Sequence, residues 1–261
     1  MSEFDDATRV AADGSAQIVA GWDIGGNANG GYMLALAAQH LRHISGRPDP
    51  LTITAHYLAP GTAGPVTVEG DVVKAGKRYT TVAGSMRRGE TRMMHVVATF
   101  GDLAAMAGGF EHVNGAPPDL PPFDECVARS ADQGPVKVAL IDRLDMRLHP
   151  RDSGFALGRR TGTAEMAGWF AFADGRAIDS LALLLAADAF PPAVFNLDIA
   201  EGWVPTLEFT VHLRGIAAPG PVRAIFRSRF VLGGAFEEDG EIWDSTGRLV
   251  AISRQFALLP R

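Results

Sequence analysis

Alternating apolar and polar side chains fill two regions of the chain, one between residues 51 and 100 and one that opens at Thr206. In the first region, the turn sequences PGTAGP, AGKR and RRGE separate the alternating runs. Period-two alternation between turn residues is typical of half-buried strands, and it predicts strands at 51–58, 66–74, 79–87 and 91–100. The pattern after Thr206 predicts a further strand.

Two segments have helical patterning instead. Residues 32–44 place apolar side chains at helical spacing, and Gly46 is a typical helix stop. Residues 178–190 are apolar around the whole helix surface, which indicates burial on nearly every side. Asp188 stands at the end of this second helix, before a diproline loop. One helix followed by several strands predicts an α+β unit in which an antiparallel sheet wraps a single helix.

The glycine-rich turn GGNANGG at 25–31, before the first helix, has two interpretations. A phosphate-binding loop also places glycines before a helix, but this turn lacks a Gly-Lys-Ser/Thr ending and the GxGxxG register. Alternatively, the glycines permit close backbone packing where another segment crosses the start of the helix. The sequence favours the second interpretation.

The second half of the chain repeats the first. GSAQI matches GTAEM, MLALAAQ matches ALLLAAD, and TAHYLAPGTAGPV resembles TVHLRGIAAPGPV. His56 and Phe100 are 44 positions apart, as are His212 and Phe256. Equal spacing across four strands indicates two tandem copies of one fold.

The repeats and a proline-rich stretch between them predict the domain organisation. We expect a first repeat at 1–103, a connector at 104–135 and a second repeat at 136–261. Residues 1–13 are expected to be a loose lead-in, and 137–148 to be the strand that starts the second repeat.

Composition excludes several classes of function. A net charge of −6 offers no general attraction to nucleic acid or to anionic membranes, and no apolar run approaches the length of about 20 residues that a membrane helix needs. The single cysteine, Cys126, excludes an internal disulfide and a zinc site of several thiolates. The acidic N-terminal sequence is unlike a signal peptide, so we expect a cytoplasmic protein with no metal and no cofactor.

Three short motifs in the second repeat resemble those of the double hot-dog acyl-CoA thioesterases. Asp188 stands in LLLAADAF, Thr206 in WVPTLEFTVHLRG and Gln255 in LVAISRQFALLP. Members of that family use an Asp at the helix end, a Ser or Thr that opens the next strand, and a Gln on the last strand. The resemblance covers the chain from about Gly14 and implies a tandem hot-dog fold.

The same resemblance implies a reaction. Asp188 would take a proton from water, while Thr206 and Gln255 hold that water for attack on the thioester of an acyl-CoA substrate. The amides of Gly30 and Gly31 at the start of the first helix are expected to bind the thioester oxygen. Families of this kind cover their exposed sheets with a partner subunit, so we expect a homodimer.

Two points about these residues stay open in the sequence. In a regular strand, Thr206 would face away from the helix, so a bulge or an irregular start near Pro205 is needed to turn it back. Glu208 is the rival base, on the same face as Thr206 in that regular strand. His56 and His212 occupy the same place in both copies, and we interpret them as structural residues where the repeats meet.

Other functions remain as alternatives. A hot-dog hydratase or dehydratase would carry an Asp and a His in one short loop followed by Asn-Pro, which this chain lacks. A non-catalytic module that binds acyl thioesters would not need the three motif residues. The first copy has Gln39, Pro50 and Thr99 where the alignment places Asp188, Thr206 and Gln255, so we expect one working site per chain.

Overall fold

The computed structural model describes residues 2–132, 136–200 and 202–260. The α-helices are α1 (Glu3–Ala7), α2 (Gly30–Ser45), α3 (Leu103–Met106) and α4 (Ser180–Ala186). Short 3₁₀ turns span Phe123–Glu125, Ala139–Arg143, Ser153–Leu157 and Ala193–Asn196. The strands are β1 (Ser15–Ile18), β2 (Asp23–Ile24), β3 (Asn27–Ala28), β4 (Asp49–Tyr57), β5 (Gly64–Ala75), β6 (Thr80–Arg88), β7 (Thr91–Gly101), β8 (Val127–Ala128), β9 (Arg147–Leu148), β10 (Glu165–Phe170), β11 (Thr206–Leu213), β12 (Val222–Arg227), β13 (Val231–Leu232), β14 (Ala235–Trp243) and β15 (Leu249–Leu258).

One antiparallel sheet runs through both repeats. Its strand order is β1-β5-β6-β7-β4-β11-β15-β14-β12-β10-β9-β8, with β13 paired to β14. Read outwards from the β4–β11 contact, β7, β6, β5 and β1 on one side match β15, β14, β12 and β10 on the other. The repeats therefore meet strand to strand, and the expected tandem hot-dog architecture is confirmed, including the four strands predicted before residue 101.

Helix α2 is the central helix of the first repeat. Asn29 caps its first turn, and Gly46 ends it in the left-handed conformation at φ 64°. Most of its residues are buried against α4 and strands β4, β5, β6 and β7, which confirms the helix predicted at 32–44. Among the described residues, no helix is both long and apolar enough to cross a bilayer.

Helix α4 is shorter than predicted. The apolar pattern suggested a helix at 178–190, but α4 ends at Ala186, and the Asp188 N–H bonds to the Leu185 carbonyl in a tightened turn. Pro191 and Pro192 follow after four further residues, and because the residue before a proline disfavours helical dihedrals, they prevent a helix from continuing beyond Phe190. This early end leaves Asp188 in a turn and not on a helix face.

The N-terminal residues are ordered against both repeats, so the expectation of a loose lead-in is wrong. Phe4 on α1 is 1% exposed, with its ring 5.5 Å from Trp22 and 5.2 Å from Phe172. Arg176 links Asp5 on α1 to Asp179, the residue that caps α4. The buried Phe4 ring and the ion pair between Asp5 and Arg176 together fix a segment whose acidic composition is typical of an unstructured one.

The strand predicted at 137–148 is also wrong. Ala139–Arg143 forms a 3₁₀ turn. Leu140 and Ile141 are buried in succession there, whereas a half-buried strand would bury alternate residues. Only Arg147–Leu148 enters the sheet, beside β8 of the connector. The last connector positions, 133–135, lie outside the described residues, and the exact domain bounds stay a prediction.

Candidate active site

A cavity of about 390 Å³ lies where α2 begins and α4 ends. Its wall is mostly apolar and combines residues from both repeats with residues of the connector. Asp188, Thr206 and Gln255 all line it. The fold thus brings together three side chains that are far apart in the second repeat, as the sequence predicts.

Asp188 faces the N-terminus of α2. Its Oδ2 accepts hydrogen bonds from the backbone N–H of Gly31 at 2.7 Å and from the side-chain amide of Asn29 at 2.9 Å. Burial raises the pKa of the Asp188 carboxyl to about 6, although these hydrogen bonds oppose the rise. A carboxyl with this pKa is ionised near neutral pH and remains basic enough to accept a proton.

Asn29 joins the two central helices, and the sequence analysis did not identify it. Its Oδ1 accepts the N–H of Tyr32 at 2.9 Å and so caps α2. Its Nδ2 donates to both the side chain and the backbone carbonyl of Asp188, the latter at 2.8 Å. The available signal was an N-cap residue directly before the glycine pair at a predicted helix start.

The glycine pair allows this contact. A Cβ on Gly31 would lie 2.6 Å from the Leu184 carbonyl oxygen and 2.9 Å from the Asp188 Cβ, so a side chain there would force the helices apart. A Cβ on Gly30 would lie 3.0 Å from the Asp188 Oδ2. Close backbone packing at a crossing is one of the two interpretations that the sequence allowed for the turn.

The backbone of both Gly30 and Gly31 hydrogen-bonds to Asp188, and both hydrogen bonds oppose the rise of its pKa. The Gly31 N–H already donates to Asp188, whereas Gly30 lines the cavity and its carbonyl accepts the Tyr57 hydroxyl at 2.8 Å. The prediction that both amides bind the thioester oxygen is not tested by this arrangement. Gly31 serves the carboxylate in this structure.

A β-bulge turns Thr206 towards the cavity. The β11–β15 pairing shifts between Thr206 and Glu208, so Leu207 is the extra residue in the ladder. Thr206 then lies on the same side as Gln255, and its hydroxyl donates to the Gln255 Oε1 at 3.1 Å. The bulge required by the sequence analysis is present at the expected end of the strand.

Gln255 is held from its other end by Glu238, which the sequence analysis missed. The Gln255 Nε2 donates to the Glu238 Oε1 at 2.9 Å, and the backbone N–H of Ala193 donates to the Glu238 Oε2 at 2.5 Å. Glu238 is 5% exposed. Burial raises the pKa of its carboxyl to about 7, with Asp188 adding to the rise.

The signal for Glu238 was its place in the strand alternation. Phe236, Glu238, Gly240 and Ile242 share the buried face of β14. A carboxylate at an inward position of a half-buried strand is uncommon unless it has partners. The run of acidic residues around it made this position look like part of a solvated surface.

The opposite face of the sheet holds the other candidates. Glu208 accepts the Thr210 hydroxyl at 2.5 Å and does not line the cavity, which disfavours it as the base. His56 and His212 lie on β4 and β11, the strands where the repeats meet, and both side chains are exposed. Their position at the junction agrees with the expectation, but they are not packed in a core.

Strand pairing corrects one of the predicted equivalences between the copies. Ile53 and Phe209 are equivalent, because each stands three positions before the equivalent histidine, His56 or His212. In the sheet, Ile53 pairs with Ala98, and Phe209 pairs with Gln255. Ala98, not Thr99, is therefore the counterpart of Gln255. Thr99 faces the other side of the sheet, where its hydroxyl lies 2.9 Å from that of Thr81.

The equal 44-residue spacing predicted the wrong counterpart for Gln255, because the pairing register of β7 with β4 differs by one residue from that of β15 with β11. A slip of one residue moves every side chain to the other face of a sheet. The equivalence of Pro50 with Thr206 holds, since Pro50 pairs with Phe100 and is also followed by a bulge. By the same pairing, Val82 is the counterpart of Glu238.

Comparisons with known proteins agree with this architecture. Residues 18–101 match the family model of the acyl-CoA thioesterase N-terminal domain, and residues 117–259 match that of the C-terminal domain. A solved structure of a candidate thioesterase II from Thermobifida fusca YX superposes with a TM-score of 0.89 at 30% identity, covering 100% of this chain and 98% of that one.

Two further relatives have no assigned function. A conserved hot-dog protein from Alicyclobacillus acidocaldarius has a TM-score of 0.86 at 22% identity, covering 100% of this chain and 99% of its own. An uncharacterised protein of Mycobacterium tuberculosis is 26% identical in an alignment of 257 residues that covers 92% of this chain and 88% of that protein. The similarity extends over nearly the whole chain in each case.

Proposed function

Because the chain belongs to the acyl-CoA thioesterase family, we propose that it hydrolyses an acyl-CoA thioester to the free acid and coenzyme A. The observation that carries the proposal is the convergence of Asp188, Thr206 and Gln255 on one mostly apolar cavity at a helix N-terminus. An apolar cavity with a few convergent polar groups suits an acyl chain that ends in a reactive carbonyl.

Asp188 acts as the general base. Its Oδ2 is held by Gly31 and Asn29, and its Oδ1, which accepts neither of those bonds, takes the proton from water. Ionisation is needed for this role, and a pKa of about 6 meets that requirement at neutral pH.

Thr206 and Gln255 hold the attacking water. The Thr206 hydroxyl donates a hydrogen bond to the Gln255 Oε1, so its oxygen is left to accept a hydrogen bond from the water. The second N–H of the Gln255 amide donates to the water oxygen. One lone pair of the water is then left to attack the thioester carbon, in an orientation that the two side chains fix.

The thioester oxygen lies at the start of α2. Gly30 lines the cavity there, and the positive end of a 16-residue helix stabilises the negative charge that develops on the oxygen. Coenzyme A leaves as a thiolate, which is a stable anion, so no strong general acid is required. The alkyl part of the substrate lies in the cavity against its apolar wall.

The test is a free-thiol release assay over acyl-CoAs of different chain length, with Glu208→Gln as the control for Asp188→Asn. We expect turnover of at least one chain length by the wild type, loss of that turnover in Asp188→Asn, and little change in Glu208→Gln. Both changes remove one carboxylate near the junction of the repeats, so overall charge is matched. Turnover that survives Asp188→Asn but not Glu208→Gln would assign the base to Glu208.

The alternatives give different results in the same assay. A hydratase changes the acyl chain without releasing thiol; that reaction usually pairs the carboxylate with a histidine, whereas His56 and His212 lie on the exposed face. A binding module retains acyl-CoA and releases nothing. Thiol release therefore separates hydrolysis from both alternatives, and a change in the acyl chain separates a hydratase from a binding module.

We also propose a homodimer. Val97 on β7 and Phe256 on β15 are 46% and 44% exposed on the outer sheet face, on strands that flank the junction of the repeats symmetrically. Apolar side chains on an open sheet face favour a partner subunit. Light scattering should give twice the chain mass of 27.7 kDa, and a monomer at micromolar concentration would contradict the proposal.

A further inference from the structure

Glu238 is a buried carboxylate that the mechanism above does not use. Its two oxygens have separate partners: Oε1 accepts the Gln255 amide and Oε2 accepts the Ala193 N–H. Ala193 begins the 3₁₀ turn that follows the diproline loop after Asp188. The Glu238 side chain is therefore locked between the loop and the last strand.

This contact decides which way the Gln255 amide points. An amide has a donor end and an acceptor end, and an ionised carboxylate can only accept. Gln255 must therefore turn its Nε2 towards Glu238 and its Oε1 towards Thr206. The Thr206 hydroxyl can donate one hydrogen bond, and it donates that bond to the Gln255 Oε1.

We propose that Glu238 is a positioning residue that sets the amide orientation of Gln255 and, through Thr206, the direction of hydrogen bonding at the attacking water. The inference rests on the proposed thioester hydrolysis. If the amide were reversed, Gln255 would donate to Thr206, and the Thr206 hydroxyl would donate its proton to the water. The water would then lose an acceptor that orients its lone pair.

The first repeat supports this assignment. Where the second repeat has the pair Gln255 and Glu238, the first has Ala98 and Val82. Both members of the pair are absent there together, as expected when one serves the other. A buried carboxylate without this partner would only cost stability.

The protonation of Glu238 is coupled to the site. Burial raises its pKa to about 7, and the charged groups that act on it are Asp188 and the adjacent Asp239, which is paired with Arg254. A protonated Glu238 can donate to Gln255, and this permits the reversed amide. Turnover should therefore need Glu238 ionised as well as Asp188.

Glu238→Gln tests the orientation directly. The new side chain must give its oxygen to the Ala193 N–H, so it offers an N–H to Gln255 and reverses the amide. We expect kcat to fall about 10- to 100-fold with little change in KM, because the substitution disorients the water and leaves the cavity intact. Glu238→Val, which copies the first repeat, should lower kcat similarly. Glu237→Gln, one residue away, is the matched control and should retain wild-type kcat.

A double-mutant comparison separates positioning from general damage. In a Gln255→Ala background, Glu238→Gln should have little further effect on kcat, because the residue acts through Gln255. Equal losses in both backgrounds, or a Glu238→Gln variant with wild-type kcat, would overturn the inference while hydrolysis itself stands. A wild type that releases no thiol from any acyl-CoA would overturn the proposed function and this inference with it.

A second inference concerns Arg129 in the connector, which lines the same cavity. Its guanidinium lies over the Phe155 ring at 5.4 Å, its Nε is buried without a hydrogen-bond partner, and burial lowers the pKa of the group. In the described residues, no carboxylate forms an ion pair with it. Arg160, on the same wall, has Asp198 at 2.9 Å.

We infer that Arg129 binds an anionic group of the substrate, through carboxylate or phosphate oxygens, if the protein acts on acyl-CoA as proposed. A half-buried cation in an apolar wall is costly unless an anion neutralises it, and the guanidinium suits both kinds of oxygen. The anion is either a carboxylate at the far end of the acyl chain or the phosphates of coenzyme A.

The test uses two acyl-CoAs of equal length, one ending in a methyl group and one in a carboxylate, with Arg129→Met. Selective loss of about 10- to 100-fold in kcat/KM for the second substrate identifies the acyl carboxylate, since charged hydrogen bonds are worth that much. Equal losses for both identify the phosphates. Unchanged values for both overturn the inference. Calorimetry with the non-hydrolysable thioether analogues gives the same comparison from binding alone.

Discussion

The two repeats share one backbone plan but differ at four equivalent positions. The second repeat has Asp188, Thr206, Gln255 and Glu238, where the first has Gln39, Pro50, Ala98 and Val82. The first repeat instead contributes the N-terminus of α2, where the Gly31 N–H donates to Asp188, whereas the start of α4 is capped by Asp179, which is paired with Arg176. Under the proposed function, one site is divided between the copies: the second repeat supplies the four polar side chains, and the first supplies a helix N-terminus together with the buried Asn29 that binds Asp188.

The largest expected effect is at the base. Asp188→Asn should lower kcat by about 10²- to 10⁴-fold, the usual range for a positioned general base. The protein should stay folded, because asparagine keeps the shape of the side chain. Thiol release together with circular dichroism measures both. Activity near that of the wild type would remove the functional distinction between the copies.

Thr206→Ala and Gln255→Ala should each lower kcat by about 10²-fold, because each removes one of the contacts that hold the water. Thr99→Ala is the matched control, since Thr99 lies on the outer face of the equivalent strand in the first repeat. Its kcat should equal that of the wild type. A comparable loss in Thr99→Ala would mean that the strand equivalence is misread.

Turnover should fall as the pH falls. Asp188 must be ionised, and its pKa is about 6, so kcat should drop about tenfold per pH unit below that value. Glu238 has a pKa of about 7, so kcat should fall more steeply with decreasing pH if both Asp188 and Glu238 must be ionised. The two apparent pKa values of the kcat profile then belong to the coupled pair and not to either residue alone. A pH series of kcat for the wild type and Glu238→Gln distinguishes one group from two.

Folding stability should change in the opposite direction with pH. In the unfolded chain the two carboxyls ionise near their ordinary values of 3.8 and 4.5, but in the folded protein they stay protonated to about 6 and 7. Their contribution to stability is therefore present below the unfolded values and is lost as the pH rises through the folded ones. Asp188→Asn should raise Tm more at pH 8 than at pH 4. An equal change at both would contradict the raised pKa.

The smallest effect is expected in the first repeat. Gln39→Ala should leave kcat nearly unchanged, because a glutamine side chain does not accept a proton near neutral pH. Its Oε1 is buried without a hydrogen-bond partner, so its removal should cost little stability. Calorimetric titration with a non-hydrolysable acyl-CoA analogue should give one site per chain. Two equivalent sites would contradict the division of labour between the repeats.

The sequence by itself determined the repeated fold and the three motif residues. Helix α2 and strands β4 to β7 follow from local periodicity and turn residues, which need no knowledge of distant contacts. Asp188, Thr206 and Gln255 were found through short motifs whose resemblance to a family is readable along the chain. The equivalence of Pro50 with Thr206 follows from their equal distance to His56 and His212, and it holds because each strand has a bulge at the same place.

Only the tertiary structure decided how these residues face one another. Bulges and strand offsets depend on partner strands far away in sequence, so the turn of Thr206 needed the β11–β15 register, and Thr99 was mistaken for the counterpart of Gln255. Asn29 and Glu238 acquire their roles from partners 159 and 17 residues away. The raised pKa values of Asp188 and Glu238 arise from burial, which is a property of the packed molecule and not of the chain.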